Sequence, residues 1–267
     1  MFPGRTSWPI TSPDIWPVDP GVWPSSRTPV DVTKYANNDK NTYVMYLLDS
    51  SGSMLTIADT IVEGFNEQVD ITREKGAKGG QTFVSLIVFN HDVYDMYFNK
   101  PYTHLEKLSR ADYQPRGGTA LLDAIGYTIT KMEHETNLSD PKNRYLLINL
   151  TDGAELDSKH FSKGQIASRF KELQKNRWTI TYMGCNQDML AISREYGIPK
   201  MNTMSFTAGV VGARGAVGSQ GCQGTMGKAL SNYYETVSLG GQAELAVSSN
   251  FYNPETVGAP VTVVDNK

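Results

Sequence analysis

The six residues Tyr43-Val44-Met45-Tyr46-Leu47-Leu48 leave no polar face for water. A strand with one solvated face alternates polar and apolar residues. A strand covered on both faces reads as a continuous apolar run, so this segment belongs inside a parallel sheet. The run stops at Asp49, and the next periodic stretch is helical. Ile57, Ile61, Phe65 and Val69 recur every four residues with Val62 beside them, before the breakers Gly76 and Gly79-Gly80. Strand, polar loop and helix form the repeating unit of an α/β fold.

That alternation continues along the chain. Thr82 to Phe89 and Val93 to Phe98 are β-branched and aromatic around the turn-like Asn90-His91-Asp92, which predicts a hairpin ending in an antiparallel edge strand. Gly117-Gly118-Thr119 introduces a helix through Leu121, Leu122, Ile125, Ile129 and Met132. Arg144 to Leu150 is a second apolar strand, ending in Thr151-Asp152-Gly153. A helix through Ile166, Phe170 and Leu173 follows, then a strand over Trp178–Met183. A short helix over Met189–Tyr196 and a last strand over Met201–Phe206 come next. A final helix, about Met226 to Val237, should return to the sheet through Leu230, Tyr233, Tyr234 and Val237. The expected fold is α/β and doubly wound: a mostly parallel sheet with one antiparallel edge strand and helices on both faces.

The two ends read differently. Residues 1–40 hold seven of the thirteen prolines and three of the four tryptophans, with the dipeptide Trp-Pro at Trp8, Trp16 and Trp23. Proline excludes this arm from a central strand, and wrapping of the indoles onto the chain's own domain is expected ahead of insertion into a partner. Glycines crowd between Thr207 and Gly227, which reads as a long mobile loop. The organisation is therefore a Pro/Trp-rich arm over 1–40, a domain over 41–238 and a weakly patterned tail over 239–267.

A formal charge of −3 and a pI near 5.8 give no electrostatic invitation to nucleic acid or acidic membranes. Cys185 and Cys222 form no disulfide framework and no metal-binding pair, and no apolar run approaches the length of a membrane span. A soluble, cytoplasmic protein is the expectation.

Asp49-Ser50-Ser51-Gly52-Ser53 then gains meaning from its neighbours. Alone, Asp-x-Ser-x-Ser recurs by chance in roughly one chain in twenty of this size. Loops leaving the carboxyl ends of parallel strands share one edge, however, and Asp49 and Asp152 each follow an apolar strand closely. Thr119 opens the helix that should flank the same crevice. The set Asp49, Ser51, Ser53, Thr119 and Asp152 resembles the metal-ion-dependent adhesion site of the von Willebrand factor A domain, over residues 41 to 238. The resemblance implies direct contacts to Mg²⁺, or to Mn²⁺ or Ca²⁺, from Ser51, Ser53 and Thr119. Asp49 and Asp152 would contribute directly or through water, and the open position would accept a Glu or Asp of a partner protein. It also admits an AAA+ ATPase as a companion.

Each of the five has an ordinary alternative, as a turn residue after a strand or as a helix cap. Gly227-Lys228 fails as a phosphate-binding loop, because Cys222 and Ala229 occupy the places of the required glycine and hydroxyl. Ser51 lacks a nucleophile elbow, the histidines show no ligand spacing, and Glu155 is expected to rim the site. The favoured function is a non-enzymatic, metal-dependent binding module. An assembly protein using the domain as scaffold and the Trp-Pro arm as main contact is the alternative, and a metal-dependent hydrolase ranks last.

Overall fold

The computed structural model describes residues 40–152, 155, 157–185, 187–206, 224–239 and 241–253. The Trp-Pro arm, most of the glycine-rich stretch and the end of the tail lie outside the described residues. Six strands are present: β1 (Asn41–Asp49), β2 (Gln81–Phe89), β3 (Val93–Pro101), β4 (Asn143–Thr151), β5 (Trp178–Cys185) and β6 (Thr203–Phe206). They form one sheet in the order β3-β2-β1-β4-β5-β6. Every pairing is parallel except β2 with β3, so the antiparallel strand stands at the edge, as its hairpin pattern predicts.

The helices are α1 (Ala58–Lys75), α2 (Leu121–Glu135), α3 (Lys163–Leu173), α4 (Met189–Tyr196), α5 (Thr225–Leu239) and α6 (Gly241–Ser249). Local chemistry sets several ends. Ser162 and Gln165 form a reciprocal capping box at the start of α3. Asp188 accepts from the Leu190 and Ala191 amides at the start of α4, and Gly197 closes that helix with φ of 66°.

The lack of a polar face in β1 has a direct structural reading. Val44, Tyr46 and Leu48 enter an apolar layer shared with α1, α5 and α6. Tyr43, Met45 and Leu47 enter a second layer with α2, α3 and α4. At the amino end of the sheet the second layer carries an aromatic row across four adjacent strands. Phe83 stacks on Tyr43 at 5.3 Å between centroids, Tyr43 on Tyr145 at 5.2 Å, and Tyr145 on Trp178 at 4.6 Å. These are register partners, so the row also fixes strand alignment.

The last strand is shorter than its apolar pattern suggests. Residues Lys200–Asn202 form a 3₁₀ turn, and the Asn202 side chain donates to Ile180 O at 3.1 Å and Ser248 O at 2.8 Å. The stretch after Leu239 that reads as a weakly patterned tail opens with α6. There Glu244 takes two bonds from Arg144, Nε at 2.5 Å and Nη2 at 2.8 Å, and both side chains are buried. Phe251 and Tyr252 complete the layer under α5. Lys40 O accepts from Gln81 N at the amino end of β2, and Tyr252 N donates to Met201 O just before β6. The chain therefore enters and leaves the described domain at the amino edge of the sheet.

Candidate metal centre

The connections reverse direction between β1 and β4. From β1 the chain moves outward to β2, whereas β4, β5 and β6 extend the other way. The loops after β1 and β4 diverge there and open a crevice at the carboxyl edge. Asp49 ends β1, and Asp152 follows Thr151, the last residue of β4.

Asp49 is fully buried, and its carboxylate is held from both sides. Oδ1 accepts from the Ser51 amide at 2.7 Å, and Oδ2 accepts from the Thr151 hydroxyl. The Ser51 and Ser53 hydroxyls are 3.0 Å apart, and Ser53 Oγ donates to Asp152 Oδ1 at 2.6 Å. The Ser51 hydroxyl lies between Ser53 and the Asp49 carboxylate, whose pKa it lowers. Four of the five expected residues thus form one hydrogen-bonded constellation.

Thr119 reaches the same edge through its backbone. Gly52 N donates to Gly117 O at 3.0 Å and Arg116 N to Ser50 O at 2.7 Å, so the 116–119 segment is laced to the Asp49–Ser53 loop. Gly117 has φ of 70°, and a Cβ there would collide with the His91 ring, so glycine is required for this approach. The 3₁₀ turn Gly52–Ile57 has no side-chain cap from Ser51, and the residue at the N-cap of α2 is Ala120, not Thr119. The capping roles that could have explained Ser51 and Thr119 are not the ones they play.

Burial dominates the electrostatics. It raises the Asp49 pKa from 3.8 to about 6, against lowering by hydrogen bonds from Thr151 and Ser51 and with a further rise from Asp152. Asp152 also moves upward, again chiefly by burial, with the Ser53 bond opposing. Among the described residues neither carboxylate forms an ion pair. Two carboxylates lifted by burial beside converging hydroxyls fit a small, hard cation, which would compensate their charge. The donors are oxygens alone. Among the described residues no group of three or more His, Cys, Asp and Glu gathers to hold a metal, which sets this arrangement apart from a thiolate- or imidazole-rich site.

Sequence reading misses the supports of this centre. The Tyr113 hydroxyl donates to the Asp49 carbonyl from within a long loop, where no periodicity marks it. Ser50 Oγ donates to Phe89 O at 3.0 Å, locking the loop to β2. Thr151 had a visible signal in its position beside Asp152.

The sequence matches the von Willebrand factor type A domain over residues 44–207. The chain belongs to this family. No curated protein matches it closely enough to report. Among solved structures, this VWA chain is similar to the von Willebrand factor type A protein from Catenulispora acidiphila. Identity is 14%, coverage is 74% of this chain and 43% of that one, and the TM-score is 0.47. Proximal thread matrix protein 1 from the mussel byssus gives 16% identity, 75% and 48% coverage and a TM-score of 0.46. The PilB minor pilin from Streptococcus sanguinis gives 14%, 80% and 64%, and 0.46. The VWA chain thus spans less than half the length of the first two. Among its described residues no helix is long and apolar enough to cross a membrane.

Proposed function

We propose that the chain is a metal-dependent protein-interaction module with a complete adhesion-type metal site. VWA domains typically mediate protein interactions. The observation that carries the metal reading is the relay from Ser51 through Ser53 to Asp152, set beside the buried Asp49 carboxylate. Ser51, Ser53 and Thr119 would hold Mg²⁺, with Mn²⁺ or Ca²⁺ as substitutes. Asp49 and Asp152 would contribute directly or through water. The cation would supply attraction for an anionic oxygen, and neutral hydroxyls leave that attraction largely unspent.

A Glu or Asp of a partner protein is the ligand proposed for the open position. Leu55, 58% exposed on the turn that carries Ser53, provides an apolar rim beside it. An AAA+ ATPase presenting such a carboxylate is one partner class to test. We read the module as non-enzymatic: the Ser51 hydroxyl is engaged by Ser53 and Asp49, and the Nε2 of His91 lies 3.2 Å from Asp92. Burial pushes the Cys185 thiol up to about 11, keeping it neutral, and a reducing cytoplasm suits this free cysteine.

The test has two parts. Calorimetry with Mg²⁺ and Mn²⁺ should show one site in the wild type and none in Asp49→Ala. Partner capture should fail in EDTA and with the folded variant. Capture that survives both treatments sinks the metal bridge.

A further inference from the structure

We propose that Glu155 and Asp123 are positioning residues of the metal centre, forming a two-way clasp between the loops that carry Asp152 and Thr119. This rests on the metal-site reading above, and neither residue belongs to the five-residue set. Helix α2 begins just after Thr119 without a side-chain cap of its own, because Ala120 stands at its N-cap. The missing acceptor comes from the other loop. Glu155 Oε2 accepts from the Leu122 amide at 2.9 Å, and the same carboxylate takes the Ser158 amide at 2.7 Å and the Ser158 hydroxyl at 2.8 Å.

The helix returns the contact. The Asp123 carboxylate accepts from the amides of Lys159 at 2.8 Å, His160 at 2.9 Å and Phe161 at 3.0 Å, while its own amide donates to Ser158 Oγ at 3.1 Å. Asp157 N adds a bond to the Thr119 carbonyl at 3.1 Å. Helix α2 thus donates one backbone N–H to a carboxylate of the other segment and receives three on its own carboxylate, as a capping box does within one helix but here between two segments. Thr119 and Asp152 lie 33 residues apart in sequence. The clasp ties their segments together without touching the five side chains, and metal affinity depends on such alignment; even a partner bonded directly to a metal ligand typically accounts for about 10–100-fold in affinity, so the low end of that range is expected here.

The test measures Mn²⁺ dissociation constants by electron paramagnetic resonance, at a temperature where circular dichroism shows each full-length variant folded. Glu155→Ala and Asp123→Asn should each weaken Mn²⁺ about tenfold or more. Glu155→Gln keeps one acceptor for Leu122 N and should fall between wild type and Glu155→Ala. Val247→Ala, on α6 at the opposite edge, serves as a control that lowers the melting temperature without moving the constant. Wild-type affinity in both Glu155→Ala and Asp123→Asn overturns the clasp while leaving the metal site standing, as does a constant that tracks melting temperature equally in Val247→Ala. A wild type that binds no Mn²⁺ overturns both.

Discussion

Substituting Asp49 by Asn should stabilise the metal-free protein while abolishing its response to metal. The buried Asp49 carboxyl titrates near 6 instead of 3.8. At 1.36 kcal/mol per pH unit, that difference makes ionised Asp49 a destabilisation of ~3 kcal/mol at pH 7.5. The sign follows from proton binding. The folded state holds the proton more tightly than the unfolded chain, so stability falls as pH rises from about 4 to about 6 and is level above that. An amide at this position can preserve both contacts, its oxygen accepting from Ser51 N and its NH₂ donating to the Thr151 hydroxyl, which can rotate. Urea unfolding in EDTA should therefore show Asp49→Asn more stable than wild type by ~3 kcal/mol at pH 7.5, shrinking to ~0.5 kcal/mol at pH 4. Mg²⁺ at about 100 times its dissociation constant should then raise wild-type stability by ~2.7 kcal/mol and leave the variant unmoved. A variant less stable than wild type in EDTA at pH 7.5, or an advantage independent of pH, would refute the claim that this carboxylate is held in uncompensated burial.

Three further outcomes follow from other parts of the fold. Glu244→Ala leaves the Arg144 guanidinium buried without its partner and should cost about 3–5 kcal/mol by thermal or urea unfolding. Tyr145→Ala removes the ring stacked on both Tyr43 and Trp178 and should also cost about 3–5 kcal/mol, with Mn²⁺ affinity preserved in the folded fraction because the row lies at the far edge. Gly117→Ala forces a side chain onto a φ of 70° and against the His91 ring. It should cost about 1–3 kcal/mol and weaken metal binding, read by calorimetry.

Much of the scaffold is legible in the sequence because burial on two faces leaves an unambiguous trace. β1 and β4 read as apolar runs, and the polar turn at Asn90-His91-Asp92 marks the antiparallel hairpin. The convergence of Asp49 and Asp152 follows from a rule of sheet geometry, so it too could be read in advance. What escaped depends on contacts between segments distant in the chain. Glu155 reads as a rim residue because nothing local reveals that the α2 N-terminus lacks its own cap. Tyr113 is one aromatic in an aperiodic loop, and the pairing of Arg144 with Glu244 spans 100 residues. Helix α6 is equally hidden, since its small and polar residues carry a weak pattern, and among its described residues Val247 is the one hydrophobic side chain in the core.

Both ends of the described domain, Lys40 and Asn253, sit at the amino edge of the sheet, whereas Asp49, Thr119 and Asp152 gather at the carboxyl edge. The backbone therefore joins the described domain from the edge opposite Asp49 and Asp152. A piece trimmed to residues 40–253 can be tethered to a bead or a surface by either end with the Asp49–Asp152 edge facing outward.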